Sequence, residues 1–346
     1  MKHTPGLLLS LFLPLTAAAS AQTGLDSIKS YLSSKTELLV SQTAELEALS
    51  DRYYALAEQT NFDYAALRQG HVAGVAVILS EAREAWTVAS PLYEQVEGIV
   101  AGTPSLAQFD VDLDAGSSAA DDPQNAVSFD LTLLDGRVLE KPGNLFGVTE
   151  STLWGTFERF SSGVKADLDG DGQLQFGDVL PDANVLKAAA ALLAQTAADL
   201  RAAGTLWEPT EQDAFTALVV MVPTMSEYFA SWRDSRFVAG EGSSQRDFVA
   251  ISRLADIQDI LSGLQVVLKS VTPRIDTVDA AQGEQLASRL ESLKAFVGGI
   301  YEAERSGKRF SPEQADLLGA EAQDRATAIT GQVVQVAGAL GVVVEN

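Results

Sequence analysis

The chain has 346 residues, with 24 Lys and Arg against 47 Asp and Glu, a formal net charge of −23, no cysteine and two histidines. The missing cysteines exclude disulfides, thiolate metal sites and a lipid-modified N-terminal cysteine. So acidic a surface repels nucleic acid, anionic lipid and acidic polysaccharide and favours cations, although a solvated acidic face also serves solubility without any chemistry.

The N-terminus reads as an export signal. Lys2 and His3 precede the apolar run GLLLSLFLPL, and Ala19-Ser20-Ala21 offers a small-x-small cleavage site before Gln22. The run is too short to cross a bilayer, and no second apolar run of spanning length is evident. Residues 1–21 are therefore expected to be a signal peptide. The mature protein is expected to be soluble, periplasmic or secreted, with no membrane span and no nucleic-acid partner.

Beyond it, Ala, Leu, Glu, Gln and Arg dominate and apolar residues recur at intervals of three and four. Helices are predicted over 25–60, 62–101, 146–162, 182–203, 209–238, 244–270, 277–304 and 312–341. Ser311, Pro312 and Gln314 form a capping-box start, and Thr210 with Asp213 forms another. Gly204 and Gly307 read as helix stops, and Pro223 as a kink. The predicted fold is all-α. It has two antiparallel four-helix bundles, 22–204 and 205–346, joined around residues 204–210. The stretch 102–145 is long, acidic and rich in Gly, Pro and Ser, which marks a functional or disordered loop. Within it VSFDLTLLDGRVLE alternates around an Asp-Gly turn, the signature of a small hairpin.

The stretch DLDGDGQLQFGD, residues 167–178, has the spacing of an EF-hand-like calcium loop. Its oxygen ligands would be Asp167, Asp169, Asp171, the backbone carbonyl of Gln173, Gln175 or a water, and Asp178, with Gly172 at the sharp turn. Leu174 holds the position where a hydrophobe packs inward. Asp178 stands in place of the longer bidentate Glu, and Pro181 delays the next helix. A single loop has no partner with which to open as a sensor. Calcium here is expected to stabilise the fold.

Glu94 and Glu97 share one face of the second predicted helix, beside Tyr93, and Glu150 follows in LFGVTESTLWGTF. These stretches resemble the imelysin-like family. Trp86, Tyr93 and Glu97 match its first helix, Phe146, Glu150, Leu153 and Trp154 its second, and Asp247 the start of a C-terminal helix. The resemblance points towards the periplasmic iron-binding component of the Efe iron-uptake system. It implies a metal site of carboxylates and histidines between helical bundles, a peptidase classification through an H-x-x-E motif, and an inner-membrane iron permease as partner. This sequence departs from the pattern. Gly147 stands where the motif histidine would be, Gln245 where the second would be, and His71 lies outside both motifs.

Oxygen-only ligands suit iron(III), manganese, magnesium or calcium better than zinc. A zinc peptidase needs nitrogen ligands and a general base around an open position. The expectation is a non-enzymatic protein binding a metal ion, iron or another hard cation, through Glu94, Glu97, Glu150 and Asp247. Competing readings stand beside it. Glu94 fits a solvated helix face, Asp247 a first helical turn stabilised by the helix dipole, and Trp86 and Trp154 the core. The whole chain fits equally a structural or interaction protein whose metal site is degenerate.

Overall fold

The computed structural model describes residues 14–243 and 245–344, with side chains from Gly24 onward. Of the expected signal peptide, residues 1–13 lie outside the described residues; the backbone of the remainder continues the first helix. The described chain is mainly helical.

The first helix, α1 (Pro14–Gln59), shows why long helices form here. Leu25, Ile28, Leu32, Leu39, Leu46, Tyr53 and Ala57 are buried at alternating three- and four-residue steps. Thr36 and Thr43 fill the gaps in that seam. Their hydroxyls donate back to the carbonyls of Leu32 and Leu39 at 2.9 Å, so neither is buried unpaired. The seam packs against α2 (Tyr64–Ala101) and α5 (Ala183–Leu206).

Between α2 and α5 run a short helix α3 (Ala107–Asp110), a wide turn at Val111–Ala115, and α4 (Leu145–Leu153). The predicted hairpin is present as β1 (Leu131–Thr132) against β2 (Val138–Leu139), turning at Gly136 with φ +87°. A second antiparallel pair, β3 (Ser161–Lys165) with β4 (Val179–Pro181), carries the loop 167–178.

In the second half, α6 (Glu211–Met221) and α7 (Met225–Asp234) are separated by one 3-10 turn at Val222–Thr224, the break expected at Pro223. Both expected capping boxes are formed. The run Glu211–Asp234 is apolar and long enough to pass for a membrane span, but 61% of its window is buried among the other helices. Helices α8 (Arg253–Ile275), α9 (Ala280–Arg305) and α10 (Pro312–Leu340) complete the fold.

One core cluster runs through both halves. It is continuous because α2 and α8 pack backbone to backbone. A β-carbon on Gly263 would stand 2.1 Å from the carbonyl oxygen of Gln95, and one on Gly98 would stand 2.7 Å from Leu264. That close approach brings the polar faces of α2 and α8 together.

Several expectations need correction. The helix expected over 146–162 stops at Leu153, because Gly155 turns left-handed (φ +64°) and the chain enters β3. The helix expected from 244 starts at Arg253, capped by Ser252, so Asp247 lies in an irregular segment and not in the first turn of that helix. Gly204 does not stop α5, which continues to Leu206. The loop 167–178 is flanked by strands, not by the two helices of an EF-hand.

Candidate metal centre

The α2–α8 contact and the turn after α3 gather a cluster of buried acids around one arginine. Glu94, Glu97, Asp114 and Asp256 are each no more than 6% exposed. Arg253, also buried, lies 3.4 Å from Glu94, 3.7 Å from Asp114 and 3.1 Å from Asp256. Its guanidinium stacks on Phe248 at 3.9 Å and Tyr228 at 4.5 Å. The Tyr228 hydroxyl donates to Glu97 at 2.9 Å, and the Tyr93 hydroxyl donates to Asp110 at 2.7 Å. These donors do not satisfy the acids. No hydrogen bond reaches Glu94 Oε2, Glu97 Oε2 or Asp114 Oδ2. The same three residues each bring a carboxylate oxygen within 4.8 Å of the others.

Burial governs the protonation of this cluster. Desolvation and the neighbouring Asp114 push Glu97 up to about 7, although Arg253 and Tyr228 oppose the rise. Glu94 and Asp110 rise well above the ordinary carboxylate range, by burial first and neighbouring acids second. Asp114 rises by burial against Arg253, and Asp256 reaches about 6 for the same reason. An acid crowd that holds protons is one that a bound cation would discharge.

Above the cluster opens a cleft of about 750 Å³. Its walls include Glu97, Asp110, Asp114, Asp247, Arg246 and Arg253, and also Gly147 and Gln245. The two positions singled out in the sequence as lacking histidine thus face one cavity. At Gly147 a side chain would require the carboxylate of Asp247 and the amide of Asn144 to shift. A β-carbon there would meet Asp247 Oδ2 at 2.9 Å and Asn144 Oδ1 at 3.0 Å.

The expected ligands separate into two groups. Glu94 and Glu97 join the cluster, and the solvated-face reading of Glu94 is wrong. Glu150 does something else. Its two oxygens accept backbone N–H bonds from Phe248, Val249 and Ala250 at 2.7, 3.0 and 2.8 Å. Three successive amides around one carboxyl group form a nest, and the Glu150 contact supports the left-handed φ of +54° at Phe248. Burial pushes the Glu150 carboxyl up to about 8, against these three donors. Asp247 lines the cleft but is absent from the three-acid cluster. Trp86 is core and donates to the Phe146 carbonyl at 3.2 Å; Trp154 is half-buried beneath Arg83.

Glu150→Gln should therefore leave metal binding in the cleft intact and cost about 1–3 kcal/mol of stability, because an amide N–H₂ then faces backbone donors. Denaturant melts and metal titration of the same variant check this. Unchanged stability with lost binding would make Glu150 a ligand.

In the loop 167–178, Asp167, Asp169 and Asp171 gather as a second three-acid group, two of them exposed. Gly170 and Gly172 turn with φ +78° and +81°. The Gln175 amide donates to Asp169 and Asp171, both at 3.0 Å. Asp178 is buried and braces the loop, accepting from the backbone of Leu168 and Gln175 at 3.1 and 2.9 Å. Gln173 is exposed. Leu174 does not pack inward; it is 58% exposed. The β-strand frame explains this, since no paired EF-hand helix lies behind it.

Asp114, Asp256 and Arg253 were missed in the sequence. Asp114 belongs to the alternation Asp110-Asp112-Asp114 in the acidic stretch, where nothing local tells a buried acid from a solvated one.

With this geometry in hand, the comparison with known families is decisive. The Imelysin family, which carries a peptidase label, matches residues 36–333. The chain belongs to the imelysin family. Among curated proteins, no sequence matches it. In this imelysin the matched span contains the whole cluster, the cleft and the loop 167–178.

Proposed function

We propose that this imelysin-family chain is an exported cell-envelope protein that binds a hard metal cation on the floor of its acidic cleft, in the service of iron uptake. The observation that carries the reading is the set of three buried carboxylate oxygens, Glu94 Oε2, Glu97 Oε2 and Asp114 Oδ2, that no donor reaches within hydrogen-bond distance, Arg253 approaching Asp114 Oδ2 only to 3.7 Å. Buried carboxylate oxygens left without a full set of hydrogen bonds are costly, and all-oxygen sites prefer iron(III), manganese, magnesium or calcium. Closeness to the Efe iron-binding component and an inner-membrane permease partner belong to this proposal through family kinship. So does export through residues 1–21.

Peptidase chemistry is not part of the proposal. Among the described residues His71 does not line the cleft, and zinc peptidases draw on imidazole ligands. Metal content of protein purified without chelator is the test. One cation should remain bound when the loop site is removed by Asp169→Ala with Asp171→Ala. Protein that takes up no cation when offered iron, manganese, magnesium or calcium would sink the proposal.

The loop 167–178 is proposed as a calcium clasp that stabilises the fold. Its support is the gathering of Asp167, Asp169 and Asp171 at the tip of the β3–β4 hairpin. The parent should melt higher in calcium than in EGTA, and the Asp169→Ala/Asp171→Ala variant should melt identically in both. Identical melts of the parent would end the clasp idea.

A second reading has its own observation. Arg253 already contacts Glu94, Asp114 and Asp256, so a guanidinium would take the place of an ancestral metal in a structural protein. Under that reading no cation binds the cleft.

A further inference from the structure

Three protein oxygens do not complete a hard cation. Magnesium, manganese and iron take six ligands and calcium takes six to eight, so half or more of the coordination sphere must come from elsewhere. Here the remaining space is the cleft. Its volume of about 750 Å³ is many times that of a water, which occupies roughly 30 Å³. It falls among pockets that hold organic molecules, roughly 300–1,000 Å³.

The walls above the floor are of a different chemistry. Serines, Asn144 and Gln245 line them; the hydroxyls of Ser118 and Ser151 and the amide of Asn144 are engaged within the fold, which leaves Ser117, Ser231 and Gln245 as the groups facing a ligand. Such groups are weak ligands for a bare ion but good partners for an oxygen-rich molecule. The side chains of Ser231 and Gln245 bond to each other at 3.3 to 3.4 Å, the long end of the range, so a ligand could compete for them. At the lip, Arg246 is held by Asp121 and stacks on Phe157 at 4.6 Å. The lining acids outnumber Arg246 and Arg253, so a chelator bearing several carboxylates would be repelled.

We infer that the cleft holds its cation together with a small, hydroxyl-rich oxygen chelator of low charge, the three carboxylates taking one face of the ion and the chelator the other. This rests on the metal-binding reading of the cleft and goes one step past it. Glu94, Glu97 and Asp114 supply charge; the chelator supplies the remaining oxygens; Ser231 and Gln245 recognise the chelator.

Two probes test it, with the loop site removed by Asp169→Ala/Asp171→Ala. Manganese(II) alone should bind and keep roughly three exchangeable waters, read by water-proton relaxation. Ferric acetohydroxamate should bind with its chelator still attached, so that its visible charge-transfer band elutes with the protein. Ser231→Ala with Gln245→Ala should weaken that retention at least tenfold. If iron enters the protein and leaves acetohydroxamate behind, or if bound manganese has no exchangeable water, the inference is overturned while the metal-binding reading stands. If neither probe binds, both fall together.

Discussion

Glu97→Gln with Asp114→Asn should abolish cation binding in the cleft. The expected loss of manganese(II) affinity exceeds the roughly 10–100-fold that removal of an outer-shell partner costs, because these are the ligands themselves. The double variant removes two of the three oxygen sets of the cluster and leaves Glu94 beside Arg253. Both replacements keep side-chain volume, and both suit a group already inclined to hold a proton, so the fold should tolerate them. Binding in the parent should weaken as pH falls below about 7, the value to which burial raises Glu97, since protons and cation compete for the same oxygens. Calorimetry of parent and variant, with the loop 167–178 saturated by calcium, reads both effects. Equal affinity in the two proteins would remove Glu97 and Asp114 from the site.

Arg253→Met should be the most destabilising single change in the site, by about 3–5 kcal/mol at neutral pH, the usual cost of breaking a buried ion pair from one side. It would leave Glu94, Asp114 and Asp256 without their counter-charge. The pH dependence has a definite sign. Glu97 at about 7, Asp256 at about 6 and Glu150 at about 8 are all raised above their unfolded values. The folded protein therefore holds more protons than the unfolded chain between those unfolded values and pH 8. Their stabilising contribution is complete below the unfolded values and is lost as pH rises through 6 to 8. In chelator, the parent should be more stable at pH 5 than at pH 8, and Arg253→Met should widen that gap. Denaturant melts at the two pH values measure it. A variant as stable as the parent at pH 8 would show that Arg253 neutralises nothing essential.

The helical architecture was legible because it rests on local periodicity. The seams of α1 and α10 and the capping boxes at Thr210 and Ser311 are written in consecutive residues. What was not legible depends on approach between distant segments. Glu150 follows a helical pattern that says nothing of Phe248–Ala250, a hundred residues away, whose amides its carboxylate accepts. Glu94 looks solvated until the Gly263–Gln95 contact brings α8 against α2. Asp114 joins the buried acids only because the turn after α3 folds it against Arg253. The calcium spacing was plain, yet the strands around it were not, because SSGVK and VLP are too short to announce a hairpin across a polar loop. Resemblance to the imelysins pointed to Gly147, Gln245 and Glu97, which line one cleft, and to Glu150, whose carboxylate the backbone amides of Phe248–Ala250 hold instead.

Anomalous scattering from manganese-soaked crystals of the Asp169→Ala/Asp171→Ala variant tests the central claim most directly. The expected result is one manganese peak on the cleft floor, within about 2.0–2.4 Å of oxygens from Glu94, Glu97 and Asp114. A floor without a peak, with Arg253 still in contact with Glu94 and Asp114, would contradict it and leave the arginine as the only cation the site holds.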